Sequence, residues 1–187
     1  ADMFVYGECG RLPLCVTYFT NCIKYWLKLI TLSRERYPYQ CYNMLLRLDE
    51  SGRTTWATHV RNLLFSYGFG YVWISQEVGN SHWFINVFRQ RIIDCSIQRW
   101  GSKLSDSSKA DTYRGFKTLL NVERYLYIEM PIKLRRCFTR FRCSSHALQI
   151  EKGRHANIDI QLRFCPVCQK KGVHVVETEF HSFLECQ

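Results

Sequence analysis

Apolar residues recur at intervals of three and four through most of the first hundred positions, the period of helices that bury one face. Over residues 12–32, Val16, Phe19, Ile23, Trp26, Leu27 and Ile30 fall on one side, with Lys24 and Lys28 on another. That stretch predicts an amphipathic helix. Thr17, Thr20, Asn21 and the two lysines interrupt it too often for a membrane span. Arg34 to Tyr39 reads as a polar turn, with Pro38 near the start of a second helix that continues from Tyr42 to Leu48 and stops at Ser51-Gly52. Thr54 or Thr55 caps a third helix, which carries Trp56, Val60, Leu63, Leu64 and Tyr67 up to Gly68. An aromatic, glycine-punctuated connection follows, Gly68 to Trp73. A long helix then opens at Asn80 or Ser81 and runs through Phe84, Val87, Phe88, Ile92, Cys95 and Ile97 to Trp100. Residues 102–108 are the best linker, and a shorter helix is predicted around Tyr113 to Leu120.

Pro131 opens one more helix, reaching Ser145. At about 100° per residue, Leu134, Phe138 and Phe141 share a narrow arc, and Lys133, Arg136 and Arg140 form an opposing stripe. Arg135 and Arg142 flank the apolar side. The apolar arc is expected to dock on the bundle while the guanidinium groups face outward, where Arg matches phosphate with paired bonds. No acid lies between Lys133 and Arg142, so repulsion within the helix is uncompensated.

The composition fits this picture and sharpens it. A chain of 187 residues, 47% apolar and 15% aromatic, is long and rich enough to bury a core. The formal net charge is +10. Between Lys133 and Lys171, ten basic residues, among them Lys152, Arg154, Arg163 and Lys170, face only Glu151 and Asp159. Charge so concentrated implies a polyanionic partner, nucleic acid ahead of an anionic membrane surface. Most of the ten cysteines read as reduced, buried thiols, and Ala1-Asp2-Met3 does not begin a signal peptide. The expected location is nuclear or cytoplasmic rather than secreted.

The last two dozen residues carry the most specific chemistry. Cys165, Cys168, His181 and Cys186 form C-x2-C-x12-H-x4-C, two ligand pairs at the separation that tetrahedral Zn2+ requires, with no position left for water or substrate. The site reads as structural zinc. His174, Cys143, His146 and His155 break the two-pair spacing and rank below these four as ligands. Val173 to Val176 reads as a short strand, and Glu179 to Cys186 as a helix bringing up the second pair. The fold expected is mainly α, with a helical bundle over residues 1–145 followed by a small zinc-stabilised α+β lobe over 146–187.

Catalytic patterns are missing. There is no phosphate-binding GxxxxGK[ST] loop, GxSxG elbow or HExxH helix, and no cluster of aspartates for paired Mg2+ ions. Asp106 and Asp111 read as capping residues, Glu177 and Glu179 as screening for the basic lobe. Neither an enzyme nor a small-molecule substrate is expected.

Longer motifs carry a resemblance. The run from Phe141 to His155, FRCSSHALQIEKGRH, joined to Arg163-Phe164-Cys165-Pro166-Val167-Cys168 and to ETEFHSFLEC from Glu177 to Cys186, resembles the carboxy-terminal end of LINE-type (non-LTR) retrotransposon reverse transcriptases. Tyr6 to Leu14, YGECGRLPL, is similar to the stretch that follows the polymerase domain in animal members. The resemblance implies a post-polymerase helical linker ending in a CCHC zinc module that binds template RNA or target DNA, with the upstream polymerase as a further partner. It places Arg142, His146, Arg154 and His155 in the basic element beside the zinc ligands, and it leaves the polymerase and endonuclease residues without counterparts here. Nucleic-acid contacts are therefore expected from Lys133, Arg135, Arg136, Arg140, Arg142, Lys152, Arg154, His155 and Arg163. The alternative is a helical protein-interaction module with a structural zinc, using Trp73, Trp83 and Trp100 as anchors.

Overall fold

The computed structural model describes residues 2–186. They are mainly α-helical; their only β pairing is two isolated antiparallel bridges, Cys9 with Val122 and Phe164 with Val176. No helix among them is long and apolar enough to cross a membrane. The chain divides into two compact units, an internal one, Leu12–Trp100, and a terminal one that joins residues 2–11 to 101–186. The division expected after Ser145 thus falls within the terminal unit. Side chains cross that point repeatedly: Thr112 donates to Glu179 at 3.1 Å, and the Phe141 ring meets Phe183 at 4.6 Å.

The chain opens with α1 (Asp2–Cys9), which the sequence analysis did not anticipate. The internal unit follows, built from α2 (Leu14–Ile30), α3 (Tyr37–Glu50), α4 (Trp56–Ser66), α5 (Gly70–Ser75) and α6 (Ser81–Ser105) as far as Trp100. Pro38 sits in the first turn of α3, where its missing N–H costs nothing. Thr55 caps α4 reciprocally: its hydroxyl accepts from the N–H groups of Ala57 and Thr58, and the Thr58 hydroxyl accepts from the Thr55 N–H. The stretch expected as a connection contains α5, because Phe69 and Val72 are buried and only a helix turns both inward. At Gly70 a Cβ would sit 2.8 Å from the Phe65 ring, so any larger residue there must displace that exposed ring.

Ile23, Trp26, Val60, Leu64, Phe88 and Ile92 form the centre of this core. Trp26 is wholly buried and stacks on Trp73, centroids 6.0 Å apart. Its indole N–H donates to the Tyr42 hydroxyl at 2.8 Å, which in turn donates to Gln76 at 2.7 Å, so no polar atom of the pair is stranded. Burial pushes the Tyr42 hydroxyl up to about 12. A side chain of that size contributes about 3 kcal/mol by burial alone. Helix α6 continues into the expected linker because Trp100 and Leu104, one turn apart, are both buried.

The terminal unit continues with α7 (Asp111–Phe116), α8 (Ile132–Arg142), α9 (Gln149–His155) and α10 (Pro166–Lys170), linked by 3-10 turns at Ser108–Ala110, Arg124–Tyr127 and Ile160–Leu162. A π-helical turn, His181–Glu185, closes it. Helix α7 stops before the predicted Leu120. There Lys117 leaves the helix with an extended backbone and buries its ammonium among Asn121 O (2.6 Å), Asn121 Oδ1 (2.7 Å) and the Glu123 carboxylate. The strand predicted at 173–176 reduces to the single bridge at Val176, because Val173 and His174 are exposed and have no partner strand. Gly10 takes φ +56° beside the Cys9–Val122 bridge, where a Cβ would lie 2.3 Å from the Val122 nitrogen.

Candidate metal centre and basic face

Four ligand atoms converge at the end of the terminal unit. One from each of Cys165, Cys168, His181 and Cys186 lies within 4.8 Å of all the others, compact enough to hold one metal ion. Cys165 Sγ is 3.6 Å from Cys186 Sγ, Cys168 Sγ is 3.9 Å from Cys186 Sγ, and Cys168 Sγ is 3.3 Å from His181 Nε2. Cys165 and His181 are buried, and Cys168 and Cys186 are half-buried.

Local backbone chemistry builds each half. Cys165 N donates to Val175 O at 2.8 Å and Glu177 N to Arg163 O at 2.8 Å, the pair of bonds that frames the Phe164–Val176 bridge. Between these strand-like ends, Pro166 starts α10 directly after Cys165. The chain returns through Gly172 at φ +78°, with Lys171 N and Val173 N both donating to Cys168 O. The second half is the π turn. In an α-helix, residues five apart sit roughly 140° apart around the axis. The i to i+5 bond from Cys186 N to His181 O (2.8 Å) widens the turn and brings both side chains to one side. Thr178 accepts from His181 N at 3.0 Å and holds the entry to this turn.

The electrostatics suit a cation. The backbone N–H of Cys168, then the His181 ring and the N–H of Val167, hold the Cys165 thiol down to about 7 although burial opposes this. That thiolate raises His181 and, with burial and Cys168, pushes Cys186 up to about 11. Thiolates this close oppose one another, and a divalent ion between them removes the opposition. His181 Nδ1 lies 3.4 Å from Glu185 Oε2, an orientation that leaves Nε2 facing the thiols.

No family model, curated protein or solved structure matches this chain.

The basic residues divide into two groups. Lys133, Arg136, Arg140 and Lys152 are exposed, and their side chains make no hydrogen bond or ion pair with any described residue. Arg142 belongs elsewhere. Its guanidinium bonds Glu8 at 2.9 and 3.0 Å and Glu123 at 2.8 Å, and it lies over the rings of Phe116 (4.4 Å), Tyr125 and Phe138. With that side chain 13% exposed, it is a fold-forming ion pair and not a surface contact. Arg163 spends its donors on the carbonyls of Ile150 and Ile158, Arg154 pairs with both oxygens of buried Glu151, and Arg135 donates to Ile128 O. His155 lies beside Arg154 and 3.9 Å from Glu151. The lower-ranked ligands stay outside the metal cluster: His146 bonds Glu179, His174 packs on Phe164, and Cys143 is a half-buried thiol that desolvation raises to about 11.

The face of α8 that docks is rotated from the apolar arc: Phe138 and Phe141 of that arc pack on Tyr125 and on Phe183, and Arg135, Thr139 and Arg142 extend the contact. Arg135, Phe138, Thr139 and Arg142, within roughly 100° of one another, make its contacts to Ile128, Tyr125 and Glu8. Leu134 is 60% exposed. Lys133, Arg136 and Arg140 project from the far side, roughly 140° away around the helix. Glu8 and Glu123 were invisible to sequence reasoning because nothing local ties them to Arg142.

Proposed function

We propose that this chain is a nucleic-acid-binding segment stapled at its end by a structural zinc ion, of the kind that follows the polymerase in LINE-type reverse transcriptases. The reading rests on one observation. Lys133, Arg136 and Arg140 form a continuous, unpartnered cationic stripe on the side of α8 opposite its anchoring contacts. Three like charges held on one face repel each other, and a sugar-phosphate backbone relieves that by binding with release of counterions. Lys152 adds a fourth free cation, while Arg142, Arg154 and Arg163 shape the unit that carries them.

Zinc is the ion that the donor set favours. Tetrahedral Zn–S and Zn–N bonds place sulfurs about 3.8 Å apart and sulfur and nitrogen about 3.5 Å apart. The three separations given above lie within a few tenths of an ångström of those values. Four protein ligands leave no open position, so the ion would hold the fold and not react.

The protein-interaction reading finds less support. Trp100 is buried and Trp73 stacks on Trp26; of the three tryptophans only Trp83, 62% exposed, could anchor a partner.

Affinity for RNA and DNA oligonucleotides, measured by fluorescence anisotropy from 50 to 200 mM salt, tests the function. Log affinity should fall linearly with log salt, and Arg136→Gln with Arg140→Gln should reduce the slope by about two. An affinity indifferent to salt and to both substitutions would rule the reading out.

A further inference from the structure

Past the carboxy-terminal end of the cationic stripe, against Phe141, stands an aromatic ring that the fold holds out to solvent. Phe183 lies in the middle of the π turn, 68% exposed, with its ring meeting Phe141 edge to face at 4.6 Å. Phe141 is half-buried and directly follows Arg140, the last cation of the stripe. One edge-to-face contact leaves most of the Phe183 ring uncovered. The turn that carries it is closed by the Cys186 N to His181 O bond and bounded by two of the four candidate ligands. An exposed aromatic on a closed turn, one neighbouring residue removed from the last of a row of cations, is an arrangement that stacks unpaired bases on a strand held by those cations.

We infer that Phe183 is a stacking platform for an unpaired base, and that this face prefers single-stranded over double-stranded nucleic acid. The inference rests on the nucleic-acid reading above and adds the strand type that the site selects. Inside a duplex both faces of each base are already covered, so a duplex can use the cations but not the ring. A single strand uses both.

The nearby apolar residues Ile132 and Leu134, also exposed, raise the question of an anionic bilayer instead. The geometry of α8 argues against it. Ile132 and Leu134 lie roughly 160° apart around the helix, with the cationic stripe on one side between them. They form no single face to bury. The inward arc is tied to Ile128, Tyr125 and Glu8, so the helix cannot roll to present another.

The test uses the full chain with its metal content verified. Binding of labelled single-stranded 12-nucleotide RNA and DNA is compared with a blunt duplex of the same sequence and with phosphatidylserine-containing vesicles, for Phe183→Leu and Phe183→Trp. Leucine keeps the apolar surface and removes the π face. Single-strand affinity should fall about tenfold in Phe183→Leu, within the range measured for losing one stacked base, while duplex affinity stays unchanged. Phe183→Trp should restore single-strand affinity and show indole quenching on binding. Equal losses for single strand and duplex, or no loss for either, would overturn the platform and leave the salt-dependent reading standing. Vesicle binding that survives Phe183→Leu, without oligonucleotide binding, would overturn both.

Discussion

Arg142 and Glu8 are separated by 134 positions and meet as the central ion pair of the terminal unit. Their side chains are 13% and 6% exposed, and the Tyr125 hydroxyl donates to the same carboxylate at 2.6 Å. An ion pair this buried adds modestly to stability while intact, but losing one partner strands the other and costs about 3–5 kcal/mol. Glu8→Gln and Arg142→Met should each destabilise the unit on that scale in urea unfolding, and the double variant should recover part of the loss. The same pair sets a pH response. Burial raises the Glu8 carboxyl, but the bonds from Arg142 and Tyr125 and the Arg142 charge outweigh it and hold the group below the usual carboxylate range. A carboxyl that binds its proton less tightly when folded stabilises the fold at pH values above its unfolded pKa of about 4.3. That contribution fades as pH falls through the lower folded value. Unfolding free energy should therefore drop between pH 5 and pH 3 in the native chain and drop less in Glu8→Gln. Unchanged pH dependence in that variant would remove Glu8 from this role.

Elements repeat the lesson at a larger size. Helix α2 was legible because its apolar period is strong: Val16, Ile23, Trp26 and Leu27 are all buried as their spacing requires. The Thr55 cap was legible because capping chemistry is local. The metal cluster was legible because ligand type and spacing are themselves the chemistry, and all four residues converge. Helices α5 and α9 were missed because six or seven residues hold too few turns to show a period. The docking face of α8 was legible at Phe138 and Phe141 but not at Arg135 and Arg142, which point inward to carbonyls and carboxylates supplied by other segments. Metal binding is expected to govern the elements around the cluster. Gln149 N donates to the Glu177 carboxylate and Ile150 N to Glu177 O, so α9 hangs on the segment between the two ligand pairs. Chelation, or Cys186→Ser, should release about one equivalent of zinc and raise amide exchange through residues 149–155 and 165–186. Amides in Leu12–Trp100 should keep their protection. Exchange rates indifferent to chelator would mean that the cluster holds no structural ion.

At the scale of the molecule, the two units differ in how the chain makes them. Leu12–Trp100 is continuous and contains its own apolar core, from Ile23 and Trp26 to Phe88 and Ile92. The terminal unit needs its first segment. Phe4 packs edge-on against buried Tyr113 at 4.9 Å, Glu8 O accepts from Glu123 N at 3.0 Å, and Glu8 neutralises Arg142. Without residues 2–11, a buried guanidinium loses its carboxylate and an apolar core loses a wall, changes of several kcal/mol against a typical stability of about 5–15 kcal/mol. A fragment of residues 12–100 should therefore fold alone, with a cooperative helical melt. A fragment of 101–187 should show no cooperative melt even with zinc, and a peptide of residues 1–11 added in trans should restore one. Gly10→Ala in the intact chain offers a gentler version of the same cut. At φ +56°, with the Val122 nitrogen 2.3 Å from the new Cβ, alanine must push the first segment off its partner. Only the transition of the terminal unit should then move to lower temperature, while the internal unit melts as before. A cooperative zinc-dependent melt from 101–187 by itself would show instead that the amino-terminal helix decorates a unit already complete.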